Sequence, residues 1–140
     1  MTPLARMLAE QEIARLVTRY AMLNDDGDYA GVAEMFTDDA RFVRPSGGDP
    51  IVGRAAIRAS YEGRPPRLSR HLITNIVVDF TSDEEATCRS TMVLYTAPAG
   101  ATPGTAAKPA LLGGFRDRLV LTADGWRFAE RIGHLDLKID

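Results

Sequence analysis

The sequence is poor in most of the devices that announce a function. Of its 140 residues one is cysteine, Cys88, so no disulfide can form within the chain. Two are histidines, His71 and His134. No spacing of His, Cys, Asp or Glu fits a structural or catalytic zinc site, so no metal is expected. No glycine-rich phosphate loop follows a strand, and neither Ser69 nor Ser90 stands in a nucleophile elbow, so no cofactor is expected. Neither sign of charge dominates: 17 Lys and Arg face 19 Asp and Glu, for a net charge of −2. Acids and bases are interspersed, whereas a nucleic-acid surface needs a basic stripe. No run approaches the ~18 apolar residues of a membrane span. The opening Met1-Thr2-Pro3-Leu4-Ala5-Arg6 lacks the order of a signal peptide. The expectation is a cytoplasmic protein acting without nucleic acid or membrane.

What is present suits one soluble domain over residues 1–140, with 45% apolar and 26% charged residues. A first helix is predicted from Pro3, with Ile13, Leu16, Val17, Tyr20 and Asn24 on one face and Gly27 as its stop. Asp28 reads as the N-cap of a short second helix holding Val32, Met35 and Phe36. Ala40–Arg44 suggests a short strand, and Arg54–Tyr61 a third helix with Ile57 and Tyr61 one turn apart. Glu62-Gly63-Arg64-Pro65-Pro66 breaks it. The second half reads as long strands: Arg67–Phe80, Glu85–Thr96, Leu111–Leu121 and Trp126–Leu137, the last two joined by an Asp124-Gly125 turn. Ala97–Pro109, with three prolines, is either a lid or a plain surface loop. The pattern is α+β: a curved antiparallel sheet wrapped around three N-terminal helices, with a cup at one end.

Chemistry concentrates in two stretches, Asn24-Asp25-Asp26-Gly27-Asp28 and Arg70-His71-Leu72-Ile73-Thr74-Asn75. A histidine on an apolar strand can be a packed core residue or a base, since its unperturbed pKa of about 6.5 lies near working pH. Alternation places His71 with Ile73, Asn75 and Val77, opposite Leu72, Ile76 and Val78, with both faces covered. The helical wheel places Asn24 on the apolar face and Asp25 well off its centre, which is the geometry of a solvated helix end. Tyr20 on the same face as Asn24 is either core or a hydrogen-bond donor at a pocket floor. Arg131 shares a face with Ala129, Gly133 and Leu135, and either pairs with Asp117 or Glu130 or binds a ligand. His134 has the opposite parity.

Ile13–Phe36, Met35-Phe36-Thr37-Asp38-Asp39-Ala40, the His71 strand and Asp124-Gly125-Trp126-Arg127-Phe128-Ala129-Glu130-Arg131 occur in the order and at the distances of the SnoaL-like and scytalone-dehydratase-like proteins. The resemblance spans nearly the whole chain. It implies the cystatin-like cone of the nuclear-transport-factor-2-like superfamily. It matches Asp25 and His71 to an Asp–His dyad, with Asp25 orienting the imidazole, and Arg131 to a pocket arginine. The chain departs from scytalone dehydratases in having Ser90 near their second histidine and Asn24 at their pocket tyrosine. It departs from dehydrochlorinases in having Tyr20 at their lysine. The resemblance implies a cofactor-independent lyase or isomerase (dehydratase, dehydrochlorinase or cyclase type) acting on a small apolar oxygenated substrate. Its site would hold His71 and Asp25 as catalytic groups, and Arg131, Tyr20 and Asn24 against substrate. The alternative is a non-catalytic binding module, or the small subunit of a ring-hydroxylating dioxygenase-like complex. A homo-oligomer is also implied, trimer ahead of dimer. Fold alone does not choose among these.

Overall fold

The computed structural model describes all 140 residues. Helix α1 runs Pro3–Asp26, α2 Tyr29–Glu34 and α3 Arg54–Glu62; the strands are β1 Phe36–Val43, β2 Ile51–Val52, β3 Arg67–Phe80, β4 Glu85–Pro98, β5 Ala110–Thr122 and β6 Gly125–Ile139. The six strands form one curved, unclosed sheet in the order β2-β1-β6-β5-β4-β3. The fold is the expected α+β cone. The sheet, however, is mixed rather than antiparallel throughout, because β1 lies parallel to β6, with Phe36 opposite Phe128 and Phe42 opposite Arg131.

Local chemistry sets the helix ends. Thr2 Oγ1 accepts a hydrogen bond from Ala5 N at 3.1 Å, and Pro3 begins α1 where a missing N–H costs nothing. Gly27 closes α1 in the left-handed region, φ 75°, and its N–H donates to Asn24 O. Asp28 then caps α2 through Gly31 N at 2.9 Å. That helix stops at Glu34, so Phe36 belongs to β1 and not to α2 as predicted. The pairing of Met35 O with Phe128 N draws the chain into the sheet there.

α1 packs across the concave face of the sheet and buries Ile13, Val17, Tyr20, Ala21 and Asn24. Phe36, Phe42, Ile57, Leu119 and Phe128 complete the centre of the core. Each such side chain removed from water contributes about 1.5–3 kcal/mol, more than any single surface interaction here. In β4, Ala86, Cys88, Ser90, Met92 and Leu94 all point inward, as alternation requires.

β3 breaks the alternation. Asn75 has φ 53°, and the pairing with β4 shifts between Thr74 and Val77. Asparagine tolerates the left-handed region, so it hosts the bulge. Before it, Ser69, His71 and Ile73 point inward; after it, Ile76, Val78 and Phe80 do. Asn75 and Val77 therefore do not share the face of His71. The outer face of β3 is also open rather than covered, with Leu72 58% and Val77 55% exposed. A second bulge at Ala129 shifts β6 against β5, so that Phe128 and Arg131 both face inward and Ala129 does not extend the Arg131 face.

Candidate active site

The last turn of α1 ends against the first residues of β3. This brings Asp25 to three donors at once. His71 Nδ1 lies 2.5 Å from Asp25 Oδ1, the His71 backbone N–H donates to Asp25 Oδ2 at 2.8 Å, and Ser69 Oγ donates to Asp25 Oδ1 at 2.9 Å. The side chains of His71 and Asp25 are 6% and 10% exposed. The helical wheel placed Asp25 on a solvated flank. That flank is where the edge strand β3 runs, and β3 covers it. Burial pushes the Asp25 carboxyl up, but the hydrogen bonds from the His71 ring, the His71 backbone and Ser69 outweigh it and hold the group below its ordinary value. A carboxylate at Nδ1 favours the tautomer that carries its proton on that nitrogen.

His71 lines a cavity of about 280 Å³, near the lower end, roughly 300 Å³, of small-molecule sites. Met92, Leu94, Leu111 and Phe115 form its apolar wall, while Tyr20, Tyr61 and Asn24 lie on the helical side. The hydroxyls of Tyr20 and Tyr61 are hydrogen-bonded to each other. Burial pushes both phenols above their ordinary value, so both stay neutral at working pH. Asn24 is buried, and its Oδ1 accepts from Arg64 Nη2 at 2.8 Å.

Arg131 lies elsewhere. Its side chain is fully buried, and it is not among the cavity-lining residues. Its guanidinium carbon sits 3.8 Å from the Phe115 ring centroid, 4.2 Å from Tyr20 and 4.4 Å from Phe128. Its Nε is 3.5 Å from Asp117 Oδ1, and no group of the chain accepts a hydrogen bond from it. Of the two partners open at the sequence level, Asp117 is the one chosen. Burial raises the Asp117 carboxyl to about 6, partly offset by the Arg131 charge. His134 is half-buried near the far end of β6 and pairs through Nδ1 with Asp136 Oδ1 at 3.0 Å. No residue of 99–109 lines the cavity. No three of His, Cys, Asp and Glu converge as a metal-ligand set.

The sequence reading missed Tyr61 and three arginines. Tyr61 was legible only as the partner of Ile57 on a helix face. Arg44, Arg64 and Arg67 also line the cavity. Arg64 and Arg67 lie beside the Pro65-Pro66 breaker, where the local signal is one of chain reversal.

The whole architecture recurs in solved proteins. The structure of a protein from Novosphingobium aromaticivorans, provisionally described as a scytalone dehydratase, superimposes with a TM-score of 0.85 at 23% identity, covering 99% of this chain and 91% of that one. A nuclear-transport-factor-2-like protein with a cystatin-like fold from the same organism gives 0.72 at 24% identity, covering 93% and 84%. A type 2 hexachlorocyclohexane dehydrochlorinase gives 0.82 at 15% identity, covering 98% and 91%. At these identities the likeness is one of fold. No helix of the chain is long and apolar enough to cross a membrane. The SnoaL-like domain family model matches residues 5–132, and the chain belongs to that family.

Proposed function

We propose that the protein is a cofactor-independent lyase or isomerase that moves a proton on a small, largely apolar carbonyl compound. The observation that carries this reading is the hydrogen-bonded Asp25–His71 pair at the wall of a cavity large enough for such a guest. Nε2 of His71 takes a proton from carbon beside the carbonyl. The electron pair left behind forms a carbon–carbon double bond, and the carbonyl oxygen takes up negative charge. The enolate then either expels a leaving group from the next carbon or regains a proton at another position. The first outcome is an elimination and the second an isomerisation; neither needs an added reactant.

Asp25 orients the imidazole and stabilises its protonated form, the work of the acid in a catalytic triad. The neutral Tyr20–Tyr61 pair offers a hydrogen-bond donor to the developing oxyanion. The Arg131 charge over the Tyr20 ring partly offsets the upward push of burial on that phenol and so makes it a better donor. Arg131 is in this scheme a positioning residue and not a substrate ligand. The open cavity also supports this reading over a binding subunit whose cup is plugged by side chains.

The test is deuterium incorporation from D2O into a panel of cyclic ketones, followed by proton NMR. Wild type should accelerate exchange for at least one ketone, and His71→Ala should lose ~10²–10⁴-fold of that acceleration. Equal exchange by both proteins would remove His71 from the mechanism.

A further inference from the structure

The charge around the cavity is of one sign. Arg44, Arg64 and Arg67 line it, and no Asp or Glu does. None of the three arginines forms an ion pair anywhere in the protein, although five of the seven ion pairs lie on its exposed or half-exposed surface. They come from two converging segments: Arg44 follows β1, while Arg64 and Arg67 flank the link from α3 into β3.

Two of these guanidiniums are held in place by neutral groups. Arg44 Nη2 donates to Ser60 O at 2.6 Å and Arg64 Nη2 to Asn24 Oδ1 at 2.8 Å. Both stack on the Tyr61 ring, at 5.3 Å and 4.7 Å. Neutral acceptors and a shared aromatic face fix orientation without cancelling charge. The Nε of Arg64 is buried and has no acceptor within the chain. Arg67 is exposed, but partial desolvation of its guanidinium and the neighbouring Arg64 charge both hold it below its ordinary value. Like charges packed together cost stability unless an anion joins them. Asp25, the carboxylate whose charge bears on Arg67, is committed to His71 and Ser69.

We infer that the natural ligand carries a carboxylate, which seats among Arg44, Arg64 and Arg67 while its apolar ring body lies against Leu94, Leu111 and Phe115. This deepens the proposed function and rests on it: the carboxylate would anchor the substrate, and the reacting carbon would then face His71. Planar guanidiniums suit this task because they grip a carboxylate through two parallel hydrogen bonds. A neutral substrate with no acceptor at this point would leave the buried Arg64 Nε unpaired.

The experiment compares 1-naphthoate with its neutral counterpart 1-naphthamide by calorimetric titration of the full chain. Naphthoate should bind wild type at least about tenfold tighter, since a charge-assisted hydrogen bond is stronger than the neutral one an amide makes. Arg67→Gln should shrink that preference, and the Arg64→Gln/Arg67→Gln pair should nearly abolish it, with naphthoate affinity falling much further than naphthamide affinity. Arg67 is exposed at the start of β3, so its single variant remains informative if the double variant does not fold. Equal affinity for the two probes in wild type, no binding of naphthoate, or an unchanged preference in Arg67→Gln would each overturn the inference. The exchange assay separates it from the reaction itself. His71→Ala should keep the preference for naphthoate while losing ketone exchange. A protein that prefers naphthoate but exchanges no ketone keeps the anion site and loses the enzyme reading.

Discussion

Asp25 and Asp117 are both carboxylates drawn out of water toward a basic partner, and the fold drives them in opposite directions. Asp25 receives three hydrogen bonds and is held below its ordinary value; Asp117 receives none from the chain and is pushed to about 6. The first pair lies at a seam between a helix end and an edge strand, beside a cavity. The second lies across the middle of the sheet, with the cation wedged among Tyr20, Phe115 and Phe128. Burial alone is common to both. What separates them is the supply of backbone and hydroxyl donors: the edge strand β3 offers Asp25 a backbone N–H, a hydroxyl and a ring N–H, while Asp117 meets none. One pair is thereby arranged to hold a proton on a chosen nitrogen, and the other to organise a core around a charge.

Disabling each acid in turn separates the two roles. Asp25→Asn presents an amide N–H to the imidazole, which favours the proton on Nε2 and removes the base. We expect ketone exchange to fall ~10²-fold or more, with a change in thermal midpoint small enough to leave the protein folded. A variant that unfolds but exchanges normally when rescued at low temperature would make Asp25 a structural acid like Asp117.

The central pair should behave the other way. Arg131→Leu leaves Asp117 buried without its cation and should cost about 3–5 kcal/mol in chemical denaturation at neutral pH. Adding Asp117→Leu should recover much of that loss, because the unpaired charge goes too. If Arg131→Leu is neutral for stability and instead destroys exchange, Arg131 belongs to the reaction more directly than proposed.

The two acids also leave opposite marks on stability against pH. A carboxyl raised in the native state favours folding below its unfolded value, and that advantage is lost as pH rises through the folded value. For Asp117 the window runs from the ordinary 3.8 up to about 6. The stability of wild type relative to Asp117→Asn should therefore fall across this window. Asp25 is lowered, so its stabilisation is present above 3.8 and is lost as pH falls below it. A difference curve of the reverse slope for Asp117 would show that its paired, ionised form dominates.

The smallest effect expected is that of Ser69→Ala. It removes one of the three donors to Asp25 and should cost about 1 kcal/mol. It should also shift the Asp25 carboxyl upward, as followed by carboxylate NMR, and leave the Asp117 signal unmoved.

Much of the scaffold was legible along the chain because it depends on local patterning. The ends of α1, the cap at Asp28 and the inward face of β4 follow from residues within a few positions of one another. Phe36 was misassigned because an apolar residue just beyond a short helix carries no mark of the strand pairing that claims it. The alternation of β3 failed at Asn75, since a bulge shifts register without changing composition. The parallel pairing of β1 with β6 joins segments some ninety positions apart, and no short-range signal encodes it.

The site divides along the same line. Residues close to one another along the chain specify an α+β order of elements, with few titratable groups able to act as a base near neutral pH. Long-range packing turns Asp25 toward β3 instead of water, buries Arg131 among Tyr20, Phe115 and Phe128, and sets three arginines along the cavity. The reason is physical: helix and strand periodicity depend on neighbours along the chain. The donors around a carboxylate, and the sign of charge around a hole, depend on which distant segments are brought together.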